Sequence, residues 1–150
     1  MVEISTSILT VEKGQESETF FALEKSKTDY FHIDVMDGKF VEKDTYQKML
    51  EYSSYIKRIS NLPMDVHLMV ENPEEVIDDY AKAGADIITI HAEACKDVVE
   101  TLKLIKSKNI ITGLAINPKT PVMKVKDIIL SGLVDVVTIM GVNPGACGQA

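Results

Sequence analysis

Short runs rich in Val and Ile alternate along this chain with longer amphipathic stretches, and that beat constrains the fold more than any other feature. The runs read as strands at 2–9, 30–36, 63–69, 85–90, 110–116 and 134–140. The stretches between them read as helices at 15–27, 45–57, 73–83, 96–107 and 121–131. Strands that are short, β-branched and nearly continuous in apolar character are those of a parallel sheet covered on both faces. Their alternation with helices implies right-handed crossovers, in either an open doubly wound sheet or a barrel. A Gly-rich dinucleotide fingerprint after the first strand would favour the open sheet, but Ser7-Ile8-Leu9-Thr10 stands there. About five and a half β-α units fit at a spacing of roughly 22 to 34 residues, with no linker or low-complexity tract. An eight-stranded barrel usually needs ~200 residues or more. The expected fold is therefore a (β/α)8 TIM-barrel type, a single domain over 1–150 that stops short after the sixth strand.

Local signals agree with this division. Asn72-Pro73-Glu74-Glu75 offers an Asn N-cap, Pro at the first helical position and acidic residues in the first turn. Gly84 follows where a left-handed C-terminal cap is wanted, and Thr120-Pro121 repeats the opening device. Val98, Val99, Leu102 and Ile105 form one stripe that predicts which side of the fourth helix meets the sheet.

Charge and composition exclude several classes of function. Sixteen Lys and Arg against 23 Asp and Glu leave a formal charge of -7, with no basic block to track a phosphate backbone, so no nucleic-acid partner is expected. No apolar run approaches the ~18 to 20 residues of a membrane span. The first ten residues carry Glu3 where a secretory leader needs basic groups. Cys95 and Cys147 are too few and too far apart for a disulfide framework or a cysteine zinc site, which places the chain in a reducing cytoplasm. Trp is absent and aromatics make up 6% of the residues, which argues against stacking platforms.

Polar groups inside otherwise greasy strands carry the chemistry. In the second strand His32, Asp34 and Met36 alternate and so share one face; Asp65, His67 and Met69 do the same in the third. The C-terminal ends of parallel barrel strands gather on one rim, where active sites collect. Two imidazoles and a carboxylate meeting there make a mixed nitrogen and oxygen site for one divalent ion: Zn, Fe(II), Mn or Co. The competing reading is a set of hydrogen-bonded core residues. Met36 and Met69 read equally as core filler. His91 and Glu93, at the end of the fourth strand, are either partners that orient ligands or loop residues with local bonds. Glycines 141, 145 and 148 after the sixth strand could let the backbone approach an anion, or simply form Pro-Gly turns. Lys39, Lys43, Lys119 and Lys124 read as solvated charges.

Taken in order, FHIDVMDGKFV, MDVHLMVENPEE, AGADIITIHAEA, GLAINPKTP and VNPGACGQ resemble the ribulose-phosphate 3-epimerase family from Ser7 to Gln149. The related decarboxylase-type barrels carry an Asp-x-Lys-x-x-Asp motif on the third strand, and no lysine stands there in this chain. The resemblance implies an isomerase that inverts C3 of a small phosphorylated ketose, converting D-ribulose 5-phosphate to D-xylulose 5-phosphate in pentose phosphate metabolism. By position, His32, Asp34 and His67 are similar to three of the family's four metal ligands. Asp34 is also similar to the base that removes the C3 proton. Ser7 and His67 resemble substrate contacts, and Gly145, Ala146, Cys147 and Gly148 the phosphate-side loop. Met36, Met69 and Met140 resemble thioethers that line the reacting carbons. The family's second acid sits in an Asp-Gly-Gly motif on a seventh strand, to which nothing in these 150 residues corresponds. The loop Val41-Glu42-Lys43 and the pair Ala146-Cys147 between two glycines also depart from the family's usual Val-Pro-Asn and Phe-Gly or Phe-Ala. Two other readings follow: a catalytically impaired fragment that binds metal or phosphosugar, and an epimerase of a hexulose 6-phosphate such as allulose 6-phosphate. An open barrel exposes strand edges, so a homo-oligomer is expected.

Overall fold

The computed structural model describes residues 1–145. Six strands, β1 (Ser5–Ser7), β2 (Tyr30–Met36), β3 (Met64–Met69), β4 (Ile87–His91), β5 (Ile111–Ile116) and β6 (Val136–Ile139), pair in chain order and all in parallel. Helices α1 (Glu16–Lys25), α2 (Tyr46–Ile59), α3 (Ile77–Ala83), α4 (Val98–Ser107) and α5 (Lys126–Leu130) connect them. A doubly wound sheet reverses its order at a switch point. The order here never reverses, which is the progression of a barrel wall. The wall also curls. Leu9, His32 and Asp34 from the first two units line the same cavity, about 210 Å³, as Thr138, Met140 and Gly145 from the sixth.

Strand parity decides what each face does. The outer residues Ile8, Phe31, Ile33, Val35, Val66, Leu68, Ile88, Ile90, Leu114 and Ile116 are buried with Phe20, Met49, Ile56, Tyr80, Leu102 and Ile105 of the helices, in one apolar core. The alternate residues face the hollow, and there the polar groups stand. Burial alternates along β2 as far as Val35, whereas β4 (Ile87–His91) is buried throughout, β3 at all but Asp65 and β5 at all but Ile111. On α4 the stripe packs inward through Leu102 and Ile105, joined by buried Thr101.

Most predicted elements occur, and the differences have local causes. β1 is shorter than 2–9 because Met1, Val2 and Ile4 lie exposed with nothing to cover them. Asn72 does not cap a helix with its side chain. It adopts a left-handed backbone (φ 52°), and its carbonyl accepts the Glu75 N–H to start a separate 3-10 turn, Pro73–Glu75, before α3. Thr120-Pro121 likewise opens a 3-10 turn, Val122–Lys124, rather than a helix, and the Thr120 hydroxyl is engaged by Glu93. Gly84 ends α3 as expected, at φ 100°, and lets the Ala85 N–H close on Tyr80 O at 3.0 Å. The cap of α4 is Asp97, whose carboxylate accepts the Glu100 N–H at 3.0 Å.

Candidate metal centre

The parallel register sets Asp34 opposite His67, and His32 opposite Asp65, on the inner face of β2 and β3. Asp34 Oδ1 lies 3.2 Å from His32 Nε2 and 3.3 Å from His67 Nδ1. One donor atom from each of the three residues falls within 4.8 Å of the others. Each ring's remaining nitrogen is held from behind. His32 Nδ1 meets Asp65 Oδ2 at 2.7 Å, and His67 Nε2 meets His91 Nε2 at 2.8 Å. Ser7 Oγ donates to Asp34 Oδ2 at 2.6 Å, and Ser5 Oγ to Asp65 Oδ2 at 2.9 Å. The backbone beneath Asp34 is clamped as well: Thr45 Oγ1 donates to Asp34 O and accepts the Met36 N–H.

The electrostatics are those of a site built around positive charge. Burial would raise the Asp34 carboxyl, but hydrogen bonds from His32, His67 and Ser7 and the charge of His32 hold it well below the usual carboxylate range. Asp65 is depressed too, as its bonds to His32 and Ser5 overcome its burial. Burial pulls His32 down, yet hydrogen bonds and charge from Asp34 and Asp65 push it up to about 10. One imidazolium therefore rests between two carboxylates at neutral pH. His91 is fully buried and driven down to about 4, first by desolvation and then by the charge of His67.

The donor set suits a divalent cation. The inward nitrogens of His32 and His67 converge on one carboxylate oxygen, and their outward nitrogens already have partners, so a cation that replaced the inward protons would meet two lone pairs and an anion in one place. Met36, Met69 and Met140 line the same cavity, and Met36 and Met69 are buried there beside Val41. Gly145 approaches from the opposite side at φ 110°; a Cβ on it would lie 3.0 Å from Val41 Cβ. Ala146, Cys147 and Gly148 lie outside the described residues. Glu93 sits apart from the triad, its Oε1 accepting the Asn117 N–H and the Thr120 hydroxyl. Cys95 is half-buried, and desolvation pushes its thiol up to about 12. Sequence reasoning missed Asp65 as the partner of His32 and Thr45 as the clamp on Asp34. Asp65 was legible in principle, because it shares a strand face with His67; Thr45 opens the expected helix 45–57 and stands just before α2 in the structure, where no periodicity announces its bonds back to β2.

A curled parallel wall with a His, Asp and His cluster inside it defines a β/α-barrel protein with a metal-competent centre. The sequence comparisons narrow the class: residues 3–150 match the Ribulose-phosphate 3 epimerase family, and the chain belongs to it. The chain is 39% identical over 149 residues to a ribulose-phosphate 3-epimerase of Bacillus subtilis, covering 99% of this chain and 67% of that one. It is 37% identical to a chloroplastic ribulose-5-phosphate-3-epimerase of Arabidopsis thaliana, covering 98% of this chain and 52% of the relative. The corresponding Rhodobacter capsulatus enzyme is also 37% identical, with 99% and 63% covered. The chain thus spans between about half and two thirds of the length of these relatives. Among solved structures, an enolase protein from the Sargasso Sea environmental genome superposes with a TM-score of 0.62 at 10% identity, over 93% of this chain and 37% of that one, a likeness of fold alone. Among the described residues no helix is long and apolar enough to cross a membrane.

Proposed function

We propose that the chain carries the metal-dependent proton-abstraction half of a ketose-phosphate 3-epimerase, acting on D-ribulose 5-phosphate to give D-xylulose 5-phosphate. The observation that supports this most is the shared position of Asp34 Oδ1 between His32 Nε2 and His67 Nδ1. His32, Asp34 and His67 would hold one divalent ion. When bound, that ion supplies Lewis-acid stabilisation of the negative charge that develops when a proton next to a ketone is removed.

The chain's own residues do the rest. Asp34 keeps its carboxylate ionised through the bonds from His32, His67 and Ser7, and it is the group that would accept the C3 proton once those bonds rearrange around substrate and cation. Ser7 holds Oδ2, which fixes the carboxylate plane against the substrate. Met36, Met69 and Met140 surround the reacting carbons with surface that excludes water yet offers no acidic proton. The phosphate would be received at the segment that begins with Gly145, as the family resemblance implies. Inversion needs an acid on the opposite face, and the described residues lining the cavity hold one carboxylate, Asp34. That observation favours a second reading, a metal- and phosphosugar-binding module that exchanges the proton without net inversion.

Incubating the chain with metal and D-ribulose 5-phosphate in deuterated water tests both. Deuterium at C3 without xylulose 5-phosphate identifies Asp34 acting alone, and full turnover identifies the epimerase. Asp34→Asn must abolish exchange. Exchange that persists in that variant, or its absence in the metal-loaded chain, would sink the proposal. Supplying allulose 6-phosphate in parallel decides between pentulose and hexulose.

A further inference from the structure

The contact between His67 and His91 joins two ring nitrogens, Nε2 to Nε2, at 2.8 Å, so one must donate and the other accept. The rings lie 24° from coplanar with centroids 5.0 Å apart. That is the arrangement of two imidazoles joined edge to edge through one hydrogen, not of rings stacked face to face. We propose that His91 is the acceptor, and that this bond makes it the positioning residue that keeps a proton on His67 Nε2 and so leaves Nδ1, which bonds to Asp34 in the metal-free chain, as the nitrogen that a cation would take. The inference rests on the reading of His67 as a metal ligand.

Glu93 sets the direction. His91 Nδ1 lies 3.5 Å from Glu93 Oε2, and the other oxygen of that carboxylate is committed to Asn117 and Thr120. A lone pair on Nδ1 would face the carboxylate's negative charge and be repelled. A proton there is attracted, which leaves the lone pair on Nε2. The His91 ring is fully buried, with the Phe40 ring 5.1 Å from it, so water cannot supply an alternative acceptor for His67. The chain thereby uses two different devices for its two imidazoles: an anionic partner, Asp65, behind His32, and a neutral one, His91, behind His67. The relay continues through Glu93 to the Asn117 backbone, so the segment after β5 (Ile111–Ile116) bears on a ring two strands away.

Nitrogen-15 NMR of the metal-free chain at neutral pH reads the tautomer directly. Protonated Nδ1 and bare Nε2 on His91 are expected, and a His91 carrying its proton on Nε2 overturns the inference whether or not metal binds. Titration with Co²⁺ alone reads the consequence. His91→Phe keeps the ring shape without an acceptor and should weaken Co²⁺ binding about 10- to 100-fold, the usual range for losing such a partner. His91→Gln returns an acceptor oxygen and should recover most of that loss. Equal Co²⁺ affinity in the wild type and His91→Phe refutes the positioning role. A wild type that takes up no Co²⁺ refutes instead the reading of the triad as a metal centre. Should His91→Phe fail to fold by thermal melting, Glu93→Gln, at a partly exposed site, must move the His91 proton toward Nε2; an unchanged tautomer counts against the relay.

Discussion

Gly113 on β5 is the position where one added methyl group should be felt most. Register places Asp34 beside His67, His67 beside Thr89 and Thr89 beside Gly113, so a single rung crosses the wall from the site to this glycine. A Cβ built on Gly113 would lie 2.0 Å from Thr89 Oγ1, 2.8 Å from Thr89 Cβ and 3.0 Å from Thr89 Cα. Rotation about χ1 of Thr89 can relieve the first overlap. The other two belong to the backbone and its first carbon, so β4 and β5 must separate by several tenths of an ångström. Overpacking of this kind costs about 1–3 kcal/mol. The lower conformational freedom of Ala in the unfolded chain offsets about 0.5–1 kcal/mol of it. A net loss of about 0.5–2 kcal/mol lowers Tm by roughly 1–8 °C in a chain of this size. Calorimetry or urea denaturation of Gly113→Ala checks this, and Thr89→Gly combined with it should restore part of the loss, because the two changes act on one contact. A variant as stable as the wild type, or a double variant whose losses simply add, would show that the rung is not packed as described.

Three further outcomes follow from particular contacts. The metal-free chain should lose stability as pH rises from about 6.5 toward 10: although burial opposes it, the bonds to Asp34 and Asp65 make folded His32 hold its proton more tightly than the unfolded chain does. The contribution is complete below the unfolded value and gone above about 10, with a slope of at most ~1.4 kcal/mol per pH unit. Melting curves between pH 7 and 9.5 measure it, and His32→Gln should flatten them. Asp97→Ala removes the carboxylate that accepts the Glu100 N–H and should cost about 1 kcal/mol in chemical denaturation. Self-association is expected through the outer side of β6 (Val136–Ile139) and its neighbour α5, where Ile139 and Leu130 are 72% and 71% exposed. Ile139→Lys should then shift sedimentation toward monomer, and an unchanged distribution would place the contact elsewhere.

The alternation of apolar runs with amphipathic stretches determined the element types, their order and the parallel sheet, because a buried strand and a half-buried helix impose periodicities that only the chain itself can supply. The same periodicity put His32 and Asp34 on one face, and Asp65 and His67 on another. What it could not supply was relative register. A shift of one residue between β2 and β3 would have turned the two faces away from each other, and only the packing of Phe31, Ile33, Val66 and Leu68 against the helices fixes Asp34 beside His67. Tertiary structure alone also decided where the helices begin. Asn72 and Thr120 are sound capping residues by type, but one adopts a left-handed backbone and the other is drawn to Glu93 in the turn after the neighbouring β4. The pairing of His67 with His91 falls in the same category. Two imidazoles 24 residues apart become a donor and an acceptor only when the barrel wall brings their edges together in a place that water cannot reach.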